Sequence, residues 1–199
     1  MSEFNDRARD WDKDKKHIDR SEAIAAELVK MVPINPTMKA LEYGAGTGLL
    51  SFSLNDRFAE ITLMDNSVEM IKVCEEKAEF YGIKHIKPLC LDLEHADYDQ
   101  QFDVIFNQMV MHHVNDVDKL LLKFYSLLNP GGYLAIADLY AEDGSFHGPE
   151  ANVHLGFDPE IVGNTLQSFG FKTFEYKTCF VMKRESGKTY PIFLLVAQK

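Results

Sequence analysis

The chain has 199 residues, room for one domain with its own hydrophobic core. Hydrophobic residues make up 46% and charged residues 26%, a balance that excludes a disordered or fibrous chain. Its 31 acidic residues against 21 basic ones leave a net charge of −10, which opposes binding to nucleic-acid phosphates, and the lysines at 13, 15 and 16 are interrupted by Asp12 and Asp14. The opening residues are polar and lack the apolar core expected of a secretory signal. The longest apolar run, residues 191–197, falls far short of the ~18–20 residues of a membrane helix. Cys74, Cys90 and Cys179 show no metal or redox spacing and read as reduced, buried thiols. Together these features predict a cytoplasmic protein with no membrane contact.

In chain order, Ile18, Ile24, Leu28 and Met31 recur at near-helical spacing over residues 17–31, and Pro33 and Pro36 stop that helix. A short apolar run, Ala40-Leu41-Glu42-Tyr43, leads directly into Gly44-Ala45-Gly46-Thr47-Gly48, and a helix is expected from Leu49 to about Leu54. A second buried strand spans 61–64 and ends at Asp65. Asn66 and Glu69 read as a capping box for a helix that runs to Tyr81, where Gly82 stops it. A third strand is expected over 83–91 before Asp92, and a fourth over 102–106 before Asn107 and Gln108. Asp116 caps a helix over 117–128, and Asn129-Pro130-Gly131-Gly132 ends it ahead of a fifth strand, 133–137, that stops at Asp138. Residues 139–157 are polar and glycine-bearing, a long loop of the kind that carries function. Asp158 and Pro159 open one more helix, closed by Gly170. Two final strands, 171–183 and 190–198, are joined by Glu185-Ser186-Gly187-Lys188 and form an antiparallel hairpin. Alternating strands and helices with a terminal hairpin predict an open, mostly parallel α/β sheet.

Ligands of such sheets bind at the carboxyl ends of the strands. The residues expected there are the glycine turn, Asp65, Asp92, Asn107, Gln108 and Asp138, all polar. The turn is the sharpest signal. Its glycines allow a tight bend and close approach of a ligand, but Leu49 follows Gly48, so the spacing departs from G-x-G-x-x-G. Glu42 upstream would repel a pyrophosphate and attract a cation. A nicotinamide-dependent oxidoreductase is therefore disfavoured.

The combination of ALEYGAGTG, LMDNS, CLDLE, FDVIFNQMVMHHV and LLNPGGYLAIAD closely resembles the class I S-adenosylmethionine-dependent methyltransferases, over residues 39–138. The resemblance implies a Rossmann-like open sheet of seven strands, mostly parallel with an antiparallel last strand, with helices on both faces. It also implies that S-adenosylmethionine is the cofactor. Gly44, Ala45, Gly46 and Gly48 would pass under it, and Glu42 would lie near its amino-acid part. Asp65, with Asn66 beside it, would take the ribose hydroxyls. Asp92 would take the adenine amino group and the Leu93 backbone a ring nitrogen. Asn107 and Gln108 would flank the methionine portion. A cationic ligand suits a glycine turn ringed by Glu42, Asp65, Asp92 and Asp138.

The (N/D)-P-P-(Y/F) motif of methyltransferases acting on DNA or glutamine amino groups is absent, since Asn107-Gln108-Met109-Val110 stands there. The Met-His-His-Val run is instead similar to ubiquinone-biosynthesis-like enzymes that methylate small molecules. FNDRARDWDKD resembles the FDxxAxxYD segment of that group, with Trp11 as the aromatic, a segment that closes over the cofactor. This gives an N-terminal helical lid over 1–36, mobile until cofactor binds, and a methyltransferase domain over 37–199. The expected catalytic candidates are His154, facing the methyl group, together with His113 and Tyr140, while His147 is expected nearer the rim. His112 is weighed chiefly as a packed, hydrogen-bonded residue. No metal is required on this reading, although a stoichiometric metal would favour histidine ligands instead. The expected partner is a small-molecule acceptor, with the chain a monomer or homodimer. The rivals are a protein or nucleic-acid methyltransferase and a non-catalytic cofactor-binding member.

Overall fold

The structure is a computed structural model that describes residues 5–148, 151–184 and 186–199. A 3-10 segment, Asn5–Lys13, precedes α1 (Lys15–Met31), β1 (Lys39–Tyr43), α2 (Leu49–Ser53), β2 (Glu60–Asp65), α3 (Val68–Phe80) and β3 (Ile86–Cys90). There follow β4 (Phe102–Gln108), a 3-10 turn at Met111–His113, α4 (Val117–Leu127), β5 (Leu128–Leu139), α5 (Pro159–Ser168), β6 (Thr173–Lys183) and β7 (Thr189–Gln198).

The seven strands form one sheet in the order β3-β2-β1-β4-β5-β7-β6. The pairs from β3 to β5 are parallel, and β7 runs antiparallel to both neighbours. Strand order reverses between β1 and β4, and that switch point opens a crevice at the strands' carboxyl ends. The period-two alternation of each strand sends its residues to opposite cores. Ala40, Ile61, Leu63, Val104 and Phe106 pack with α1, α2 and α3 on one face. Leu41, Ile105, Leu134, Ile136 and Phe193 pack with α4 and α5 on the other. The open sheet with helices on both faces is as expected from the sequence.

Several boundaries differ for local reasons. Ser67, not Asn66, caps α3: its hydroxyl accepts the Met70 N–H at 3.2 Å, while Asp65 takes the Ser67 N–H at 2.8 Å. Strand β5 begins at Leu128, immediately after α4, because Leu128 already pairs with Phe102 across an irregularity in the ladder. Residues 129–132, expected as a turn, are therefore part of the strand. Cys90 is exposed rather than buried, and the three cysteines are free. Helix α1 buries Ile24, Ala25 and Leu28 in the main core, so it belongs to the same body as the sheet. The segment before α1 reaches the glycine turn through Asp12, which accepts the Thr47 hydroxyl. Phe4 and Glu185 fall outside the described residues.

Candidate functional site

A cavity of about 390 Å³ opens at the switch point, walled by the glycine turn, the ends of β2 and β4, the turn after β4, and residues of the N-terminal segment and α1. Its base is the bend after β1, where Gly44 and Ala45 donate their N–H groups to the Met64 carbonyl at 2.8 and 3.0 Å. Gly44 has φ +68°, and a Cβ there would lie 2.2 Å from a Val110 methyl, so a side chain is excluded. Gly46 has φ +54°, and a Cβ there would meet nothing within 4 Å. Its open face lines the cavity and leaves space for a ligand against the backbone.

Asp65, at the end of β2, also lines the cavity. One of its oxygens accepts the Gly46 N–H at 2.7 Å and the other the Ser67 N–H at 2.8 Å. These bonds hold the carboxylate rigid and leave further lone pairs for hydroxyl donors. Burial raises its pKa against the opposing pull of those N–H groups. Asn66 lines the same wall and donates to Asp92 at 3.3 Å. Asp92 stands behind that wall: it also accepts from Glu94 N (2.9 Å), Tyr43 Oη (3.1 Å) and His95 Nδ1 (3.2 Å). Burial alone would raise its pKa, yet the bonds from Glu94, Asn66, His95 and Tyr43 together lower it. The wall at this edge is made by Leu91 and Glu94, while Leu93 turns its side chain wholly into the core.

Glu42 lies on the α2 face of β1, beneath the turn and fully buried. One carboxylate oxygen accepts the Ser51 hydroxyl at 2.5 Å and the Ser51 N–H at 3.2 Å, while Oε1 has no partner. Desolvation pushes its pKa up to about 8, only partly offset by the hydrogen bonds from Ser51. Burial thus opposes the anionic form of Glu42 expected from the sequence. Asn107 is buried with neither amide atom partnered. Gln108 faces the cavity and exchanges hydrogen bonds with Ser21 of α1 at 3.1 and 3.0 Å.

The far half of the cavity is built from histidines. His112 is buried, and its Nδ1 donates to fully buried Asp138 at 2.6 Å. His113 and His147 line the same wall. Burial, then the proximity of His112 and His147, lowers the His113 pKa to about 4, and burial likewise lowers that of His147. Of the two loop histidines, exposed His147 lines the cavity as expected of a rim residue, and His154 does not reach the wall where it was expected. His147 faces the cavity, whereas exposed His154 bonds the Val114 carbonyl through Nε2 at 2.9 Å and stands outside the wall. Tyr140 also stands outside it, its hydroxyl 3.1 Å from Thr178 Oγ1.

Two further features escape sequence reading because they depend on chain-distant contacts. Arg20 of α1 is 6% exposed, lines the cavity, and its Nε has no hydrogen-bond partner. Desolvation lowers its pKa to about 10, so it remains charged. Arg7, Lys16, Lys183 and Arg184 line the same cavity, cations gathered from both ends of an acidic chain, with Asp14 among them. Asp12 is the second feature. It accepts the Thr47 hydroxyl at 2.5 Å and the Lys77 ammonium at 2.9 Å, which ties the N-terminal segment to the glycine turn. Trp11 lines the cavity and stacks on His17 at 4.1 Å.

The residues fit S-adenosylmethionine. Gly46 offers an open backbone face, Asp65 offers acceptors for hydroxyls, and the carboxylate of an amino acid would find Arg20. A pyrophosphate would meet Asp65 and Glu94, with Lys77 already engaged by Asp12 and the Thr47 carbonyl at 2.8 Å.

Residues 34–193 match a family model described as a methyltransferase domain. The chain is 30% identical over 155 residues to phosphoethanolamine N-methyltransferase 3 of Arabidopsis thaliana, covering 73% of this chain and 31% of that protein. It is 30% identical over 138 residues to a ubiquinone biosynthesis O-methyltransferase of Coxiella burnetii, covering 67% and 58%. The chain thus spans about a third to three fifths of the length of these curated relatives. Among solved structures, the putative methyltransferase in complex with the Haloferax volcanii Trm112 activator superposes with a TM-score of 0.78 at 16% identity, over 100% of this chain and 98% of that one.

Proposed function

The chain belongs to the class I S-adenosylmethionine-dependent methyltransferases, and from that premise we propose that it methylates a small-molecule acceptor held in the histidine-lined half of the cavity. The observation that carries this reading is the continuity of the cavity. Gly46 and Asp65 stand at one end and His113, His147 and Arg184 at the other, with the N-terminal segment contributing Arg7 and Trp11 to the wall. A compact cavity of this kind suits a metabolite better than a protein or nucleic-acid chain. The relatives named for phosphoethanolamine and for ubiquinone biosynthesis support the same class. Arg7, Lys16, Lys183 and Arg184 favour an acceptor that bears an acidic group. The free thiols support a reducing, cytoplasmic setting, and no helix among the described residues is long and apolar enough to cross a membrane.

S-adenosylmethionine, when bound, supplies a methyl carbon on a positively charged sulfur that leaves with its bonding pair. The chain's own work is then positioning and exclusion of water, for which effective molarities reach ~10⁵–10⁸ M in favourable cases. Asp65 and the Gly46 backbone orient the nucleoside, with Asn66 completing that end and Asp92 holding Asn66 from behind the wall. Arg20 pairs the carboxylate, and Gln108, fixed by Ser21, flanks the reacting centre beside Asn107. His113, held uncharged by burial, and His147 meet the acceptor and can take its proton. His154 acts at one remove, as a tie between the loop and Val114, and Tyr140 is left without a chemical role.

The test is release of S-adenosylhomocysteine by the purified chain against a panel of small amines, phenols, thiols and acids. Turnover of an acidic small molecule, reduced at least about a hundredfold by His113→Ala, is expected from the scale of general-base catalysis. Turnover confined to proteins or nucleic acids would contradict the proposal.

A further inference from the structure

Three imidazoles converge on one wall of the cavity, and nothing in the transfer of a methyl group requires three. We propose that His112, His113 and His147 form a binding site for one divalent transition-metal ion of the zinc class, open on its cavity side. Each residue offers one ligand nitrogen, and these atoms all lie within 4.8 Å of one another. The ring centroids of His112 and His113 are 4.2 Å apart, and His147 stands 4.9 and 5.2 Å from them. Zinc bound by imidazoles sits ~2.0–2.1 Å from each nitrogen, so the rings need only a small inward movement. His147 is carried by the loop after β5 and is the exposed member of the three.

The surroundings match a ligand set more closely than a packing cluster. His112 spends Nδ1 on Asp138, which leaves Nε2 as the free ligand atom and fixes the ring's orientation. A carboxylate behind a ligating histidine is the usual outer partner of a metal site. Asp138 is held in turn by the N–H groups of Leu139 at 2.7 Å and His112 at 3.3 Å. The loop is tied down beside the pair, since His154 donates its N–H to the His112 carbonyl at 2.8 Å. Around His147, Asp138 and Glu142 act against Arg184. Three protein ligands leave a fourth position toward the cavity, the pattern of sites that bind a further ligand rather than closed structural ones.

Metal binding rests on the histidine geometry alone; with the ion bound, His113 and His147 hold it in place of taking the acceptor's proton, while cofactor binding at Gly46 and Asp65 is untouched by either role. The experiment strips the full chain with a chelator and titrates it with zinc by calorimetry, with cobalt substitution followed by visible absorption. We expect one zinc per chain, a cobalt spectrum of low-coordinate type, and affinity at least about tenfold weaker in His147→Ala, with the same loss in His113→Ala. Cys90→Ser, which removes the exposed thiol, should bind as the unaltered chain does. Absence of stoichiometric zinc binding, or affinity unchanged by both histidine substitutions, would overturn the site. Cofactor titration on the chelated samples reports separately on the methyltransferase reading and on whether the variants are folded.

Discussion

Two buried ionisable residues, Glu42 and Arg20, set the electrostatics of the site. Glu42 has its folded pKa raised to about 8 by desolvation, against an ordinary value of 4.5. The unfolded chain therefore binds fewer protons than the folded one between those values, and stability falls as pH rises through that window. Glu42→Gln removes the titration. Its stability relative to the unaltered chain should improve steadily from about pH 5 to pH 8, by a few kcal/mol in all. Paired chemical-denaturation curves across that range check it, and parallel curves would mean that Glu42 is ionised in the fold. Arg20 presents the opposite case, a cation that cannot discharge. Arg20→Met should stabilise the cofactor-free protein by roughly 1–3 kcal/mol, because a buried charge with poor compensation is removed. The same change should weaken S-adenosylmethionine binding by about 1.5–3 kcal/mol, the scale of a charged hydrogen bond. Thermal melts with and without cofactor separate the two effects. A variant less stable in both states would show that Arg20 is structural.

Among the elements, the Asn5–Lys13 segment joins cavity and surface. Ala8 is its buried anchor, Arg9 pairs with Glu76 at 2.8 Å, Ser67 donates to Asn5 at 2.6 Å, and Asp12 reaches Thr47 and Lys77. We read it as the lid, shorter than the 1–36 stretch expected from sequence because α1 is rooted in the core. Trp11, the single tryptophan, reports on it. Its fluorescence should change saturably as cofactor is added, and Asp12→Ala should blunt that change and cost about fivefold in affinity, a modest value for a partly exposed pair. A flat signal while calorimetry records binding would make the segment a fixed wall.

The strands, the glycine turn and Asp65 were legible in the sequence because each follows from local pattern: apolar runs, positive-φ glycines and polar residues at strand ends. Arg20, Asp12 and the Ser21–Gln108 pair were not, since each draws its meaning from a partner far along the chain. His147 and His154 could not be told apart for the same reason, as only the loop's folded path decides which ring meets the cavity. The Ser67 cap and the early start of β5 were lost to neighbouring residues with equal local claims.

Across the whole molecule, a chain of net charge −10 folds so that acidic Asp65 stands beside the glycine turn while Arg7, Lys16, Arg20, Lys183 and Arg184 are gathered on the wall of the same cavity. Asp65 accepts the Gly46 N–H of the glycine turn, Arg184 stands near His147, and Arg7 and Arg20 line the same cavity together with Asp14. That arrangement matches a cofactor with a cationic centre and hydroxyls, and an acceptor with an acidic group. It opposes a dinucleotide, whose phosphates would meet Asp65. Calorimetric titration of the purified chain with S-adenosylmethionine, S-adenosylhomocysteine and a nicotinamide dinucleotide, repeated with Asp65→Ala, puts this to the most direct test. The prediction is one-to-one binding of both sulfur nucleosides, weakened at least about tenfold by the substitution, with the dinucleotide far weaker throughout. Dinucleotide binding as tight as that of S-adenosylmethionine, or affinity indifferent to Asp65, would contradict it.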